Sequence, residues 1–328
     1  MKVKTREQQI IVDFWAAVDM GSKQKKQVIH AEGYRAEMHI PYIPDYNEDH
    51  MLNLYYPKDY YYKDHDSESI GGDKLPTIIN IHGGGWMFSH LDDSHDYMAQ
   101  LAARGYAVMG MGYQLVPKVD VRTIVQEIYC SMHWLEQYGE QRGFDLSKVL
   151  LTGDSAGGHL ALLVACIQAS EALQTIYGVA PVHFPITTVG ISCPCPDTNE
   201  LYIVPSGNPE DTQRMSLAYK ELLLGEQGLA AINSRALSFW ETLGFVRNLS
   251  QFPPIYLIGS ENEFLHYQTQ TLLRQLQEKN LRHETLIWKK EDGQHLMHVF
   301  NVEHWDWYEG RLTNDRMLEY FRKCYENA

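Results

Sequence analysis

From residue 75 onward, short apolar runs of strand length alternate with longer segments that have helical periodicity. The short runs are apolar at nearly every position, as strands buried on both faces are, and they lie at residues 77–81, 106–111, 149–152 and 255–258. The longer segments carry apolar stripes, such as the one formed by Ile124, Ile128 and Leu135. This alternation predicts an α/β fold with a mostly parallel central sheet and helices on both faces.

Two segments interrupt the alternation in this chain of 328 residues. Residues 1–74 contain an N-terminal helical pattern and a tyrosine-rich stretch, residues 51–56, that predicts a surface hairpin. Residues 197–248 form a long insertion between two strands, and long insertions inside compact domains are usually functional, often as lids. We therefore expect one core, residues 75–196 and 249–328, rather than two independent domains.

The charge balance argues against polyanionic partners. The chain has 28 Lys and Arg residues against 42 Asp and Glu residues, a net charge of −14, which repels phosphate backbones and anionic lipid headgroups. It has no apolar stretch of about 18 residues, and its N-terminal segment has no small-residue cleavage site. We expect a cytoplasmic protein without nucleic-acid or membrane partners. The sequence leaves the oligomeric state open, with a homodimer as one alternative.

The five cysteines do not predict a disulfide framework, because they are odd in number and scattered over a long chain: Cys130, Cys166, Cys193, Cys195 and Cys324. Cys193 and Cys195 are separated by a single proline. That spacing fits neither the two-residue gap of redox motifs nor the usual gap of zinc ligands. We therefore expect ordinary thiols and no metal site.

The strongest chemical signal is the sequence Gly-Asp-Ser-Ala-Gly-Gly at residues 153–158. It lies between a predicted strand and a predicted buried helix, which is the setting of a nucleophile elbow with Ser155 as the nucleophile. The turn is so tight that the residues flanking the serine must be small, and the serine backbone is strained so that its hydroxyl is exposed. The helix N-terminus also presents N–H dipoles to the negative charge that develops during attack.

A second signal, His-Gly-Gly-Gly-Trp at residues 82–86, directly follows the strand at residues 77–81. Consecutive glycines let bare backbone N–H groups approach a ligand, which an oxyanion hole requires. The N–H of Ala156, the residue after the nucleophile, would complete the hole. A phosphate-binding loop is a weaker interpretation, because no lysine is nearby and the spacing is not that of a dinucleotide-binding loop.

The glycine loop at residues 82–86, followed along the chain by the elbow at residues 153–158, resembles the motifs of the hormone-sensitive-lipase-like branch of the α/β-hydrolase carboxylesterases. The resemblance runs from about Thr77 to the C-terminus. It implies an α/β-hydrolase fold in which Gly84 and Gly85 share oxyanion binding with Ala156. It also implies a helical cap, so that residues 1–74 supply an N-terminal cap segment and the first strands, and residues 197–248 supply a cap insertion.

A serine hydroxyl needs a base, and in this fold the base follows the serine and the acid along the chain. The histidine is expected in the segment from residue 292 to residue 300. Relatives usually present it in a His-Gly-Phe-like tripeptide, and His298-Val299-Phe300 matches that pattern better than His295-Leu296-Met297. We therefore predict His298 as the base, with His295 as the alternative.

The acid is expected just after the strand at residues 255–258, where relatives commonly have an aspartate before a hydrophobic residue. This chain instead has Asn262 flanked by two glutamates. Glu263 directly precedes an apolar pair, so we prefer it to Glu261, and glutamate can replace aspartate in such triads. Trp86, after the glycine loop, is a candidate wall of the substrate pocket or a core residue.

These residues predict a serine carboxylesterase that acts on small-molecule esters with short acyl chains and needs no cofactor or metal. The same catalytic residues are also compatible with two other enzymes, a deacetylase of acylated sugars and a peptidase. A different class is a non-catalytic small-molecule receptor that keeps the fold and loses the triad. The presence of a serine, a histidine and candidate acids in the expected segments argues against the receptor.

Overall fold

The computed structural model describes residues 3–25, 30–62, 72–201, 209–231, 236–293 and 295–327. Within these ranges one sheet contains eight strands: β1 (Tyr34–Pro41), β2 (Met51–Pro57), β3 (Leu75–Ile81), β4 (Ala107–Met111), β5 (Phe144–Asp154), β6 (Thr188–Ser192), β7 (Ile255–Ser260) and β8 (His283–Trp288). The strand order is β1-β2-β4-β3-β5-β6-β7-β8. The first two pairings, β1 with β2 and β2 with β4, are antiparallel, and all the others are parallel.

The helices of the described residues cover both faces of this sheet. They are α1 (Arg6–Lys25), α2 (His95–Ala102), α3 (Val121–Tyr138), α4 (Ala156–Gln168), α5 (Glu171–Tyr177), α6 (Pro209–Ala231, interrupted at Gly225), α7 (Phe239–Leu243), α8 (His266–Glu278), α9 (Phe300–Glu303) and α10 (Tyr308–Glu326). None of these helices is both long and apolar enough to cross a membrane. The α/β-hydrolase fold predicted from the sequence is therefore present.

Two hydrophobic clusters form the core, one on each face of the sheet. Successive residues of one strand join different clusters, so that Ile79 packs on the face of α3 and α4 while Ile78 packs on the face of α2 and α10. The central strands are consequently buried on both faces, which explains why their sequences are continuously apolar.

The parallel strands end at one edge of the sheet, and this edge carries the predicted chemistry. Asp154 at the end of β5 lies opposite Ser192 at the end of β6, and Ile81 at the end of β3 lies opposite Gly153. The loops that follow β3, β5, β6 and β7 therefore meet at this edge.

Helices α1 and α6 pack against each other, and the Gln8 amide Nε2 donates to Glu221 Oε2 across their contact at 3.2 Å.

The surface hairpin predicted at residues 51–56 is only partly correct. β1 and β2 do pair as antiparallel strands, but β2 also pairs with β4, so it is an inner strand. Tyr55 and Tyr56 are fully buried, each in the hydrophobic cluster of a different face. Their amphipathic character suits a half-buried strand, and the local pattern does not reveal that both faces of this strand are covered.

Candidate active site

Ser155 occupies a sharp turn between β5 and α4. Its backbone has φ 52° and ψ −118°, a region that is costly for a residue with a side chain. Its N–H donates to Ser192 O at 2.9 Å, and its carbonyl oxygen accepts from Cys195 N at 3.2 Å. Hydrogen bonds to the end of β6 and to the loop after it thus hold the strained turn, as a nucleophile elbow requires.

The glycines around Ser155 are required because backbone atoms surround them. A Cβ on Gly157 would lie 2.5 Å from His82 O and even closer to Ile81 O, and a Cβ on Gly153 would lie 2.5 Å from the carbonyl carbon of Gly157. No side chain can be added there without moving the main chain.

Gly157→Ala is therefore expected to lower the free energy of unfolding by at least about 1–3 kcal/mol, the usual cost of overpacking. Thermal or urea unfolding measures the effect. Gly21→Ala in α1 is the matched control, because a Cβ there meets no atom within 4 Å. Alanine also favours a helix over glycine by up to about 1 kcal/mol. Equal stabilities of the two variants would contradict this account of the elbow.

Glu263 and His298 form a hydrogen-bonded pair. His298 Nδ1 lies 2.8 Å from Glu263 Oε2, the glutamate side chain is fully buried, and the histidine side chain is 20% exposed. Glu263 Oε2 also accepts from Leu265 N at 2.8 Å, and Oε1 accepts from the Thr269 hydroxyl at 3.4 Å. Because a carboxylate accepts and does not donate, the Nδ1 proton points at Glu263, which leaves Nε2 with a free lone pair to act as a base.

The two alternatives from the sequence lie apart from this pair. His295 is half exposed and has Nε2 3.6 Å from Glu309 Oε1. Glu261 accepts from Lys289 Nζ at 2.9 Å and from Lys290 N at 3.1 Å. The structure therefore pairs His298 with Glu263, and it places His295 beside Glu309 and Glu261 beside Lys289.

Cys193 connects this pair to the elbow. It directly follows Ser192, whose carbonyl holds the Ser155 N–H, and a Cys193 ligand atom lies within 4.8 Å of those of Glu263 and His298. Burial raises the pKa of its thiol well above the usual range, and the neighbouring Glu263 raises it further. Cys193 is thus a neutral, buried thiol.

Cys193, Glu263 and His298 are the described residues whose donor atoms could together hold a metal ion. Glu263 and His298 already bond to each other, and Glu263 is also held by Leu265 and Thr269. A metal ion bound there would have to displace the hydrogen bond that orients the histidine. The arrangement therefore suits a proton-transfer pair rather than a metal centre.

The glycine loop after β3 contacts the elbow and has backbone N–H groups without an acceptor among the described residues. Gly84 has φ +107° and Gly85 has φ +56°, conformations that glycine adopts without strain. In the described part of the chain, no atom accepts a hydrogen bond from the N–H of Gly84, Gly85 or Ala156. The N–H of Gly83 instead donates to Asp154 Oδ1 at 3.2 Å, which ties this loop to the elbow.

Two buried ionisable groups flank the loop. Burial raises the pKa of Asp154 to about 6, and the nearby His298 opposes that rise. Burial lowers the pKa of His82 to about 4, so this ring is neutral at neutral pH, and its Nδ1 donates to Gly83 O at 2.8 Å. By accepting from the Gly83 N–H, Asp154 joins the glycine loop to the elbow, and it also places a carboxyl group near His298.

Trp86 is fully buried behind the loop. Its indole N–H donates to His159 Nδ1 at 3.3 Å, and His159 Nε2 donates to Leu237 O at 2.8 Å. Of the two interpretations that the sequence left open, this burial favours a core residue that supports the loop over a wall of the pocket.

The sequence did not predict the roles of three residues near the sheet edge that carries Ser155. Cys193 links the elbow to the Glu263–His298 pair, and Tyr219 of α6 donates its hydroxyl to Gly85 O at 2.8 Å. Phe264 packs its ring 4.5 Å from the His298 ring and remains 51% exposed. Only Phe264 had a signal in the sequence, because it directly follows the predicted acid.

Comparisons with known proteins agree with this geometry. A family model described as the alpha/beta hydrolase fold matches residues 78–299. Among curated proteins, the chain is 32% identical over 90 residues to Lipase 2 of Moraxella sp. (strain TA144) and 32% identical over 95 residues to carboxylesterase NlhH of Mycobacterium tuberculosis. These matches cover 27% and 28% of this chain, and they span only 21% and 30% of the length of the two relatives.

A solved structure matches over nearly the whole chain. Esterase B from Lactobacillus rhamnosus (HN001) is 37% identical, with a TM-score of 0.84, and the match covers 98% of this chain and 95% of that one. A structure of the same esterase with a C4-C4 SN3 tributyrin phosphonate is 36% identical, with a TM-score of 0.84 and coverage of 99% and 97%. The chain therefore belongs to the alpha/beta hydrolase fold family, and the solved structures that it matches over nearly its whole length are those of an esterase.

Proposed function

We propose that this protein is a serine carboxylesterase that hydrolyses short-chain acyl esters through Ser155, His298 and Glu263. The observation that carries the proposal is the buried Glu263–His298 hydrogen bond at the sheet edge where Ser155 occupies a strained turn. The identity of 37% with esterase B over nearly the whole chain supports an esterase. The cap belongs to the same proposal, with α1 and α6 covering the site.

In the first half-reaction, the Ser155 hydroxyl oxygen attacks the ester carbonyl carbon while His298 Nε2 accepts the hydroxyl proton. The N–H groups of Gly84, Gly85 and Ala156 stabilise the negative carbonyl oxygen. The C–O bond to the alcohol then breaks, and His298 returns its proton to the leaving oxygen. Glu263 stabilises the imidazolium and keeps the proton on Nδ1 in the resting state.

In the second half-reaction, water attacks the acyl-enzyme carbonyl and gives a proton to His298. The bond from Ser155 to the acyl carbon breaks, and the proton moves from His298 to the serine oxygen. The carboxylic acid is released and the enzyme returns to its starting state. The negative charge on the carbonyl oxygen meets backbone N–H dipoles and that on the leaving oxygen meets the His298 proton, so the net charge of −14 does not oppose the chemistry.

The short acyl chain is supported by a relative. Esterase B, 36% identical to this chain, has a solved structure with a tributyrin phosphonate whose chains are described as C4. Phosphonates of this kind resemble the tetrahedral intermediate of ester hydrolysis. A similar acyl pocket in this protein would favour acetate to butyrate esters.

A substrate panel tests the proposal. We expect the kcat/KM of the wild-type protein to be highest for p-nitrophenyl acetate and butyrate and much lower for p-nitrophenyl dodecanoate, with no cleavage of aminoacyl p-nitroanilides. An acetylated oligosaccharide tests the sugar deacetylase. A fluorophosphonate probe should label Ser155, identified by peptide mass spectrometry. Cleavage of anilides without any ester turnover would refute the proposed carboxylesterase activity. Failure of the probe to label Ser155 would refute it as well.

A further inference from the structure

The carbonyl groups of the glycine loop all accept hydrogen bonds, and one of them accepts its bond from a residue of the insertion. The carbonyls of residues 83–86 each accept a hydrogen bond, Gly83 from His82 Nδ1, Gly84 from the N–H groups of Met87 and Phe88, Gly85 from the Tyr219 hydroxyl, and Trp86 from Val116 N. Tyr219 lies in α6, 134 residues further along the chain. The insertion therefore supplies one of the bonds that fix the loop.

Gly85 is the position in this loop where such a bond matters most. Its φ of +56° is accessible to glycine, but glycine also rotates into other conformations at little cost. Its N–H and its carbonyl lie on the two peptide planes that meet at its Cα, so rotation of the residue redirects its N–H. The Gly85 N–H shares a peptide plane with the Gly84 carbonyl, which Met87 N and Phe88 N hold, while Tyr219 holds the second plane through the Gly85 carbonyl at 2.8 Å. With both planes held, rotation about the Cα of Gly85 is restricted.

Aromatic side chains seal the Tyr219 bond from water. Tyr219 is 1% exposed, and its ring meets the Trp86 ring edge-on at 5.9 Å. The indole of Trp15 in α1 faces the Tyr219 hydroxyl and covers Gly85 so closely that a Cβ on Gly85 would lie 2.5 Å from Trp15 Cζ2. Without the hydroxyl, the Gly85 carbonyl would be buried without a donor, and such a carbonyl reorients or pays a desolvation cost.

We propose that Tyr219 is a positioning residue of the oxyanion hole, through which α6 of the insertion holds Gly85 in its active conformation. The inference rests on the proposed esterase function and goes beyond it, because it makes the insertion part of the catalytic machinery as well as a cover. Tyr219 is buried and its hydroxyl donates to Gly85 O, so it acts through Gly85.

The test compares Tyr219→Phe with Tyr42→Phe. Tyr42 is the matched control, because its hydroxyl is also buried and also donates to a glycine carbonyl, Gly112 O, at 2.8 Å. An oxyanion hole acts in the transition state, so its disturbance lowers kcat and leaves KM nearly unchanged. Loss of one donor costs about 10²–10³-fold in kcat, and we expect misalignment by Tyr219→Phe to cost about 10-fold or more.

The affinity for a trifluoromethyl ketone, which forms a tetrahedral adduct with the serine, should fall by a similar factor in Tyr219→Phe. Tyr42→Phe should keep both values within about twofold while its melting temperature falls as much as that of Tyr219→Phe, since each loses one buried hydrogen bond. If the wild-type enzyme is active and the two variants have equal kcat values, the positioning role of Tyr219 is overturned and the proposed esterase function stands. A wild-type protein without ester turnover would overturn the proposed function, and this inference with it.

Discussion

Replacement of Ser155 by alanine is expected to lower kcat for p-nitrophenyl butyrate by about 10⁶-fold, the loss seen when the nucleophile of a comparable triad is removed. The side chain that forms the acyl-enzyme is then absent, and only oxyanion stabilisation and substrate binding remain. Ser155 is 8% exposed and its backbone is held by Ser192 and Cys195. Removal of its small hydroxyl should therefore leave the fold intact. Initial rates and unfolding curves measure the two effects separately.

Ser250→Ala is the control for this experiment. Ser250 is an exposed serine whose hydroxyl donates only to Asn248 Oδ1, at 2.7 Å, among the described residues. This variant should keep wild-type kcat and react with a fluorophosphonate probe, whereas Ser155→Ala should do neither. Residual activity of Ser155→Ala above a few per cent, in protein free of wild-type contamination, would show that another group is the nucleophile.

The elbow could be predicted from the sequence because its requirements are local. Gly153 and Gly157 are needed where backbone atoms crowd the turn, and both lie within two residues of Ser155. The strand before and the helix after are read from the same short stretch of sequence. Local steric demands of this kind leave a fixed pattern along the chain.

The acid could be narrowed to two residues but not chosen by pattern alone. Glu261 and Glu263 follow the same strand and are separated by a single residue. Their environments differ through tertiary contacts, since Glu263 turns inward to Leu265 N and His298 while Glu261 turns outward to Lys289. Burial of one carboxylate and exposure of the other depend on segments far along the chain, so the local sequence cannot report them.

The contact between Tyr219 and Gly85 could not be predicted at all. It joins two residues 134 positions apart, and a tyrosine in a helix with several apolar residues is ordinary core by pattern. The burial of Tyr55 and Tyr56 likewise depends on tertiary structure. Their strand looks half-exposed in isolation, but it is an inner strand that packs against a hydrophobic cluster on each face. Secondary structure follows from local pattern, whereas side-chain partners follow from topology.

Glu263→Gln is expected to lower kcat by about 10⁴-fold, as loss of the carboxylate charge does in a comparable triad. Glutamine has nearly the shape of glutamate but no charge to stabilise the imidazolium. Its amide can also donate to Nδ1, which shifts the histidine proton to Nε2 and removes the lone pair that accepts the Ser155 proton. Initial rates on p-nitrophenyl butyrate measure the loss.

Glu261→Gln is the matched control, because it makes the same chemical change two residues away. The Glu261 carboxylate binds Lys289 Nζ at the surface, and exposed ion pairs of this kind contribute about 0–1 kcal/mol to stability. We expect its kcat to stay within about twofold of wild type. A larger loss in Glu261→Gln than in Glu263→Gln would assign the acid to Glu261 and would mean that the buried pair with His298 is structural. The two variants therefore distinguish Glu263, whose carboxylate bonds to His298, from Glu261, whose carboxylate lies on the same loop and bonds to Lys289.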